Sequence, residues 1–326
     1  MTKKSQHTSS SMGEDEINVQ TSKGNACAVL DADKFTPPYS IMVEYLNHCF
    51  LTQAITRKTD KMPLTHVHYA YMSASEVTED DDNLQIAFQL VDESWQFLHK
   101  DDFLKIIGLT PPENASFYRP DDTLIHRFLS NVYYQGAKSG AEFKKKLFPA
   151  VWELLGTCIS RCLTGRTGTA DFLSREIIDI MYGVYTGTNV DIYSIIWNNF
   201  RNHSLPQTDK EGNEIERTEI KMARFWALVV DHTYRELGID IPRIEKEPLV
   251  YISQFKSIVI KAEEQERFGG PISLPPHMTA ELDANSKHVL AYKDIIAAGS
   301  DLPRPIPFSG FLYQVEKKKK VSLLAS

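Results

Sequence analysis

The sequence predicts a mainly α-helical domain carrying one small β-hairpin, and three observations predict it. From Lys100 to about Leu237, apolar residues recur at helical spacing almost without interruption. The helical runs are punctuated by glycines at 108, 136, 165, 187 and 238, a common place for helices to stop. The clearest strand signal lies before them, where Leu84, Ile86, Phe88 and Leu90 alternate with Gln85, Ala87 and Gln89.

Taken in order, residues 1–35 are polar, without sustained periodicity, and read as a flexible leader. The domain proper is expected over 36–245. It opens on "FTPPYSIMVEYLNHCFLTQAI", where Pro37 and Pro38 suit a helix start and Ile41, Tyr45, Cys49 and Phe50 repeat on one face. "LTHVHYAYMSAS" alternates Leu64, His66 and His68, which suits an extended segment, and "TEDDDN" reads as a solvated acidic loop. The hairpin follows near 84–98, with "VDES" as turn residues before Trp95 and Phe97.

"KDDFLKIIGL" and "RPDDTLIHRFLSNVYYQG" read as helices with acidic starts that end at Gly108 and Gly136. "LFPAVWELLGTCISRCLTG" aligns Trp152, Leu155, Ile159 and Leu163, and closes at Gly165. "TADFLSREIIDIMYGVYTG" closes at Gly187, "NVDIYSIIWNNF" turns Ile192, Ile195, Ile196 and Phe200 inward, and "EIKMARFWALVVDHTYRELG" ends at Gly238. "RNHSLPQTDKEGNEIERT" lacks apolar periodicity and reads as a loop or insertion. A loosely packed extension is expected over 246–300, with a short strand at Ser257–Ile260 and a helix within "MTAELDANSKHVLAYKDIIAAG". Residues 301–326 form a Pro- and Lys-rich tail.

Bulk properties narrow the function classes. A chain of 326 residues, 42% hydrophobic and 24% charged, can build a core without metal or disulfide staples. Acidic residues (43) outnumber basic ones (36), a balance that disfavours coating nucleic acid through bulk charge. Four cysteines at irregular spacing fit a reducing compartment. No apolar run approaches roughly 18 residues, so neither secretion nor a membrane partner is expected, and an intracellular place, cytoplasm or nucleus, is.

Each candidate site has a structural competitor. "CLTGRTGTADF" resembles a phosphate loop, yet Gly165 and Gly168 are three apart, Thr169 stands where a lysine is needed, and the preceding segment is helical. A helix hairpin explains it better: Gly165 as a left-handed C′ residue, Thr169 as the next helix cap, Asp171 in the first turn. Arg166 is left without a structural task and is a candidate contact residue. Asp80, Asp81 and Asp82 are consecutive, unlike carboxylates returning on one helix face. Cys49, His66 and His68 lack a paired metal-ligand frame, and Cys158 and Cys162, four apart, suit burial on one helix face. Trp152, Trp197, Phe225 and Trp226 lie in helical stripes and read as core or partner-facing anchors. Two basic clusters, Lys144, Lys145 and Lys146 and then Lys317, Lys318, Lys319 and Lys320, are the candidate nucleic-acid contacts; a solvated flank and a solvated tail are their simpler readings.

The order of segments resembles the plant transposon protein domain and, more distantly, the aminotransferase-like plant mobile domain. The resemblance spans roughly residues 40–245. Its closest segments are "MYGVYTGTNVD", Met181–Asp191, and "ARFWALVV"; Ile106–Leu109 and Leu147–Leu154 match more loosely. It implies a mobile-element protein, gag-like or accessory, and transfers no catalytic residue. The chain shows no reverse transcriptase, integrase or retropepsin motif and no zinc knuckle.

The expectation is therefore a non-catalytic interaction or assembly domain with no cofactor and no metal, acting by self-association or on a protein partner. Nucleic-acid binding through the basic clusters is the alternative, and an enzyme with a dispersed site, such as Cys49 with His66 and His68, is the third reading.

Overall fold

A computed structural model describes residues 20–22, 24–34, 39–59, 62–79, 83–165, 171–240 and 274–285. Within them the chain is mainly α-helical, with a small antiparallel sheet. Among the described residues there are ten α-helices: α1 (Tyr39–Leu46), α2 (Thr52–Thr56), α3 (Leu64–Ser73), α4 (Lys100–Ile107), α5 (Asp122–Asn131), α6 (Ala150–Leu163), α7 (Arg175–Thr186), α8 (Ile192–Ser204), α9 (Ala223–Glu236) and α10 (Pro276–Asn285).

Helix α6 is the hub. Twelve of its fourteen residues are buried, as expected of a helix that is apolar almost all round. Helices α1, α2 and α7 pack around it. The other half of the core is built on α9, which packs against α3 and α4, while α8 spans from α4 to α7. An aromatic cluster joins these layers. Phe103 stacks on Phe200 at 4.3 Å, and Trp226 meets Phe88, Tyr71 and Phe200. Trp226 donates its indole N–H to Ser204 Oγ at 2.9 Å, which satisfies the one polar atom that its burial would orphan. Trp152 and Trp197 are equally buried, so the tryptophans at 152, 197 and 226 are core anchors.

Local chemistry sets several boundaries. Asp121 Oδ1 accepts from Leu124 N at 2.8 Å to cap α5, and Asp191 Oδ1 accepts from Ser194 N at 3.0 Å to cap α8. Gly108 and Gly187 take left-handed conformations (φ 78° and 65°) after α4 and α7, as expected. Helix α5 stops at Asn131, short of Gly136, because Tyr133 already turns the chain at φ 59°.

Two expectations are corrected and a third is extended. The leader assigned to 1–35 does not reach that far, since Ser22 and Asn25–Ala28 are buried; strand β1 (Gln20–Thr21) pairs in parallel with β7 (Glu219–Ile220), ahead of α9. The extended reading of "LTHVHYAYMSAS" fails because Leu64, Val67, Ala70 and Tyr71 bury one face of a helix, α3. The hairpin expected near 84–98 is present as β3 (Asn83–Gln89) and β4 (Trp95–Leu98), and β2 (Ser75–Glu79) adds to it, making an antiparallel meander with β3 in the centre. The remaining strands, β5 (Glu142–Lys144) and β6 (Phe172–Ser174), pair with each other. The strand expected at Ser257–Ile260 and the tail lie outside the described residues, as does the part of the last expected helix beyond Asn285.

Candidate functional site

The phosphate-loop question closes on Gly165. It is absent from the left-handed residues, so it is not a C′ turn. Instead a Cβ there would meet His203 Cδ2 at 2.5 Å, and its N–H donates to Asn199 Oδ1 at 3.1 Å. Glycine lets the end of α6 touch α8. Helix α7 begins at Arg175, with Ser174 before it, and Asp171 precedes β6 with its carbonyl accepting from Lys145 N at 2.7 Å; the cap expected at Thr169 lies outside the described residues. Arg166 lies outside the described residues.

The other candidates do not assemble into a reaction centre. Cys27, Cys49, Cys158 and Cys162 are all buried free thiols. Burial pushes Cys49 up to about 11 and Cys162 up to about 12, and raises Cys27 and Cys158 above the usual thiol range, so none is a ready nucleophile at neutral pH. His66 Nδ1 sits 3.0 Å from Tyr234 Oη on α9, and His68, two positions along α3, faces a different side. Among the described residues no group of three or more His, Cys, Asp or Glu is placed to hold a metal ion. No described helix is long and apolar enough to cross a membrane.

Two polar networks were not foreseen, one buried and one at the surface, and both are structural. Arg224, at the start of α9, donates to the carbonyls of Ala54, Arg57 and Cys162 at 2.7–2.8 Å and to Asn25 O at 3.4 Å. The negative ends of α2 and α6 thus converge on one buried guanidinium. Asn25, at φ 58°, completes the clasp: its Oδ1 accepts from Phe225 N and its Nδ2 donates to Cys162 O, both at 2.8 Å. Because Met222 gives α9 no side-chain cap, Asn25 caps that helix from nearly 200 positions away in sequence. In the second network, Arg175 binds Asp179 Oδ1 (2.8 Å), Pro120 O (2.7 Å) and Asp122, bracketing the start of α5 onto α7. Every group in either network is spent on the fold.

Of the basic cluster, Lys144 and Lys146 are exposed and Lys145 is half-buried, its pKa lowered by desolvation. Lys144 Nζ lies 6.0 Å from the centre of the Phe172 ring. Lys317, Lys318, Lys319 and Lys320 lie outside the described residues.

The meander presents the most conspicuous surface. Its register pairs Ile86 with Leu98 and Phe88 with Gln96, and Ile86, Phe88 and Leu98 enter the core. The opposite face carries Trp95 and Phe97, paired with Gln89 and Ala87, with Val77 one strand further over, opposite Gln85; on the central strand Gln85 and Ala87 are buried, so the exposed part of this face is its β4 edge and Val77. Trp95 and Phe97 are 51% and 56% exposed, Val77 is 36% exposed and Val91, in the β3–β4 turn, 46%. Strand β4 is paired on one side only among the described residues. Two large aromatic rings standing in water on an edge strand are costly, and such patches mark contact sites.

Acid flanks β4 along the sequence. Between Lys61 and Lys100 the sequence has no Lys or Arg and seven Asp or Glu. Asp92, beside Trp95, accepts from Ser94 N at 3.1 Å and Ser94 Oγ at 2.7 Å, bonds that lower its pKa and hold it ionised. Glu93 adjoins it, and Asp101 and Asp102 stand exposed just beyond the other end of β4.

Fold and surface together define a helical domain with an exposed aromatic sheet edge flanked by acidic residues. No protein-family model, curated protein or solved structure matches the chain.

Proposed function

We propose that the protein is an interaction domain whose contact surface is the outer face of the β2–β4 meander. The observation that carries this is the pair Trp95 and Phe97, each more than half exposed although the inward residues of the same sheet are buried. Rigid aromatic side chains give large contact area at low entropic cost, which is why they anchor interfaces. The buried, high-pKa thiols favour this reading over a dispersed enzyme site. The resemblance of residues 40–245 to plant transposon proteins points the same way, towards an accessory or assembly role. Size-exclusion chromatography with light scattering tests it: wild type should assemble or co-elute with a partner, and Trp95→Lys with Phe97→Lys should abolish that while leaving the fold intact. A strict monomer at high concentration that retains no partner refutes it.

The second reading, nucleic-acid binding, rests on exposed Lys144 and Lys146 beside the 40% exposed ring of Phe172. It requires affinity that falls steeply with salt and drops on Lys144→Ala and Lys146→Ala.

A further inference from the structure

We infer that the occupant of the open sheet face is a basic, leucine-bearing segment, and that residues Lys317–Leu324 of this chain are that segment. The inference rests on the docking reading above and adds the identity of the ligand. Three features of the face specify its chemistry. Trp95 and Phe97 supply an exposed aromatic patch along the β4 edge, with Val77 across the buried central strand. Asp92 and Glu93 at one end of β4 and Asp101 and Asp102 at the other supply negative charge on both sides of that patch. Of the nearby cations, Arg201 is paired with Glu76 at 3.3 Å, whereas Arg217, bonded to the carbonyls of Tyr71 and Met72, and Lys100, bonded to Ser194 Oγ at 2.8 Å, keep their charge; the four exposed acids Asp92, Glu93, Asp101 and Asp102 outnumber these two. A polyanion would be repelled here, whereas lysines would be attracted and could also lie over the aromatic rings.

"KKKKVSLLAS" has the complementary pattern: four lysines for the acids, then Val321, Leu323 and Leu324 for the aromatic patch. Thirty-one residues separate Asn285 from Lys317. They can span at most about 100 Å, against a radius of gyration of roughly 18 Å for a folded body of this size, so reach imposes no bar. Tethering supplies an effective concentration on the order of millimolar, so even a contact with a dissociation constant near 100 μM would be about nine-tenths occupied.

Trp95 reports occupancy directly, because the other three tryptophans are buried. In the full chain at low salt, acrylamide should quench Trp95 weakly. The quadruple variant Lys317→Glu, Lys318→Glu, Lys319→Glu, Lys320→Glu should raise its quenching constant at least about twofold, and so should 1 M salt, which shortens electrostatic range to about 3 Å. A synthetic peptide of residues 314–326 added to the quadruple variant should restore the shielding, and Trp95→Phe should remove the responsive signal. Equal quenching in wild type and the quadruple variant overturns the inference, as does a peptide without effect. Assembly or partner binding that still requires Trp95 and Phe97 after such a result would leave the docking reading standing with a different ligand.

Discussion

Replacing Asn25 with alanine should destabilise the whole domain, although the residue lies in a stretch whose sequence reads as leader. Its side chain makes two buried bonds, to Phe225 N and Cys162 O, each 2.8 Å. In Asn25→Ala the carbonyl of Cys162 keeps Arg224 as a donor at 2.7 Å, but the amide of Phe225 at the start of α9 loses its acceptor. An orphaned buried donor costs about 1–3 kcal/mol. Alanine at φ 58° adds about 1 kcal/mol, because the left-handed region suits asparagine better. The sum is about 2–4 kcal/mol, or roughly 5–15 °C in Tm for a domain of this size. Urea unfolding followed by far-ultraviolet circular dichroism gives the value from the midpoint at unchanged slope. Asn25→Gly, which removes the same bonds but tolerates the backbone angle, should recover about 1 kcal/mol of the loss. A change below about 0.5 kcal/mol in Asn25→Ala would refute the clasp, since that is the range of an ordinary surface substitution.

Gly165→Ala should cost about 1–3 kcal/mol by pushing His203 away, and Gly165→Asn should be no better, although asparagine would be tolerated at a left-handed turn; equal stability of the asparagine variant and wild type, measured by urea melts, would contradict the close approach. The four thiols should resist iodoacetamide at pH 8 in the native state and react on unfolding, because a thiol at about 11 or 12 holds far less thiolate than one near 8.5. The same shifts set a pH dependence. Unfolded thiols ionise before folded ones, so stability should fall as pH rises above about 8.5, by up to about 1.4 kcal/mol per pH unit for each of Cys49 and Cys162; a flat profile to pH 10 would contradict it.

The helical series was legible because each run carries its own period and stop signal: Gly108 and Gly187 act as the pattern implies, and Asp121 is the cap. What was hidden depends on partners distant in sequence. Glycine looks the same whether it supplies a left-handed angle or a close approach, so only the position of His203 separates the two roles at Gly165. Arg224 in "KMARFWALVV" is a visible oddity, a cation in an apolar run, but nothing local names the carbonyls of Ala54, Arg57 and Cys162. Asn25 stands in a polar stretch that lacks any period. The open sheet face was half-legible. Trp95 and Phe97 share one side of a strand at a spacing of two, but with Leu98 and Gln96 on the other side the apolar pattern does not say which side is buried. The register with β3 decides it, by sending Leu98 inward opposite Ile86.

The central claim is that the face bearing Trp95 and Phe97 is a contact surface and not merely an exposed one. Photo-crosslinking from a benzoyl-phenylalanine placed at position 97 tests it most directly, with the same group at Ile215, 49% exposed in a polar loop, as the comparison. The claim predicts a discrete crosslinked product from position 97, within the chain or to another protein, that is absent from position 215 and is lost on Trp95→Lys. Equal, diffuse crosslinking from both positions would contradict it.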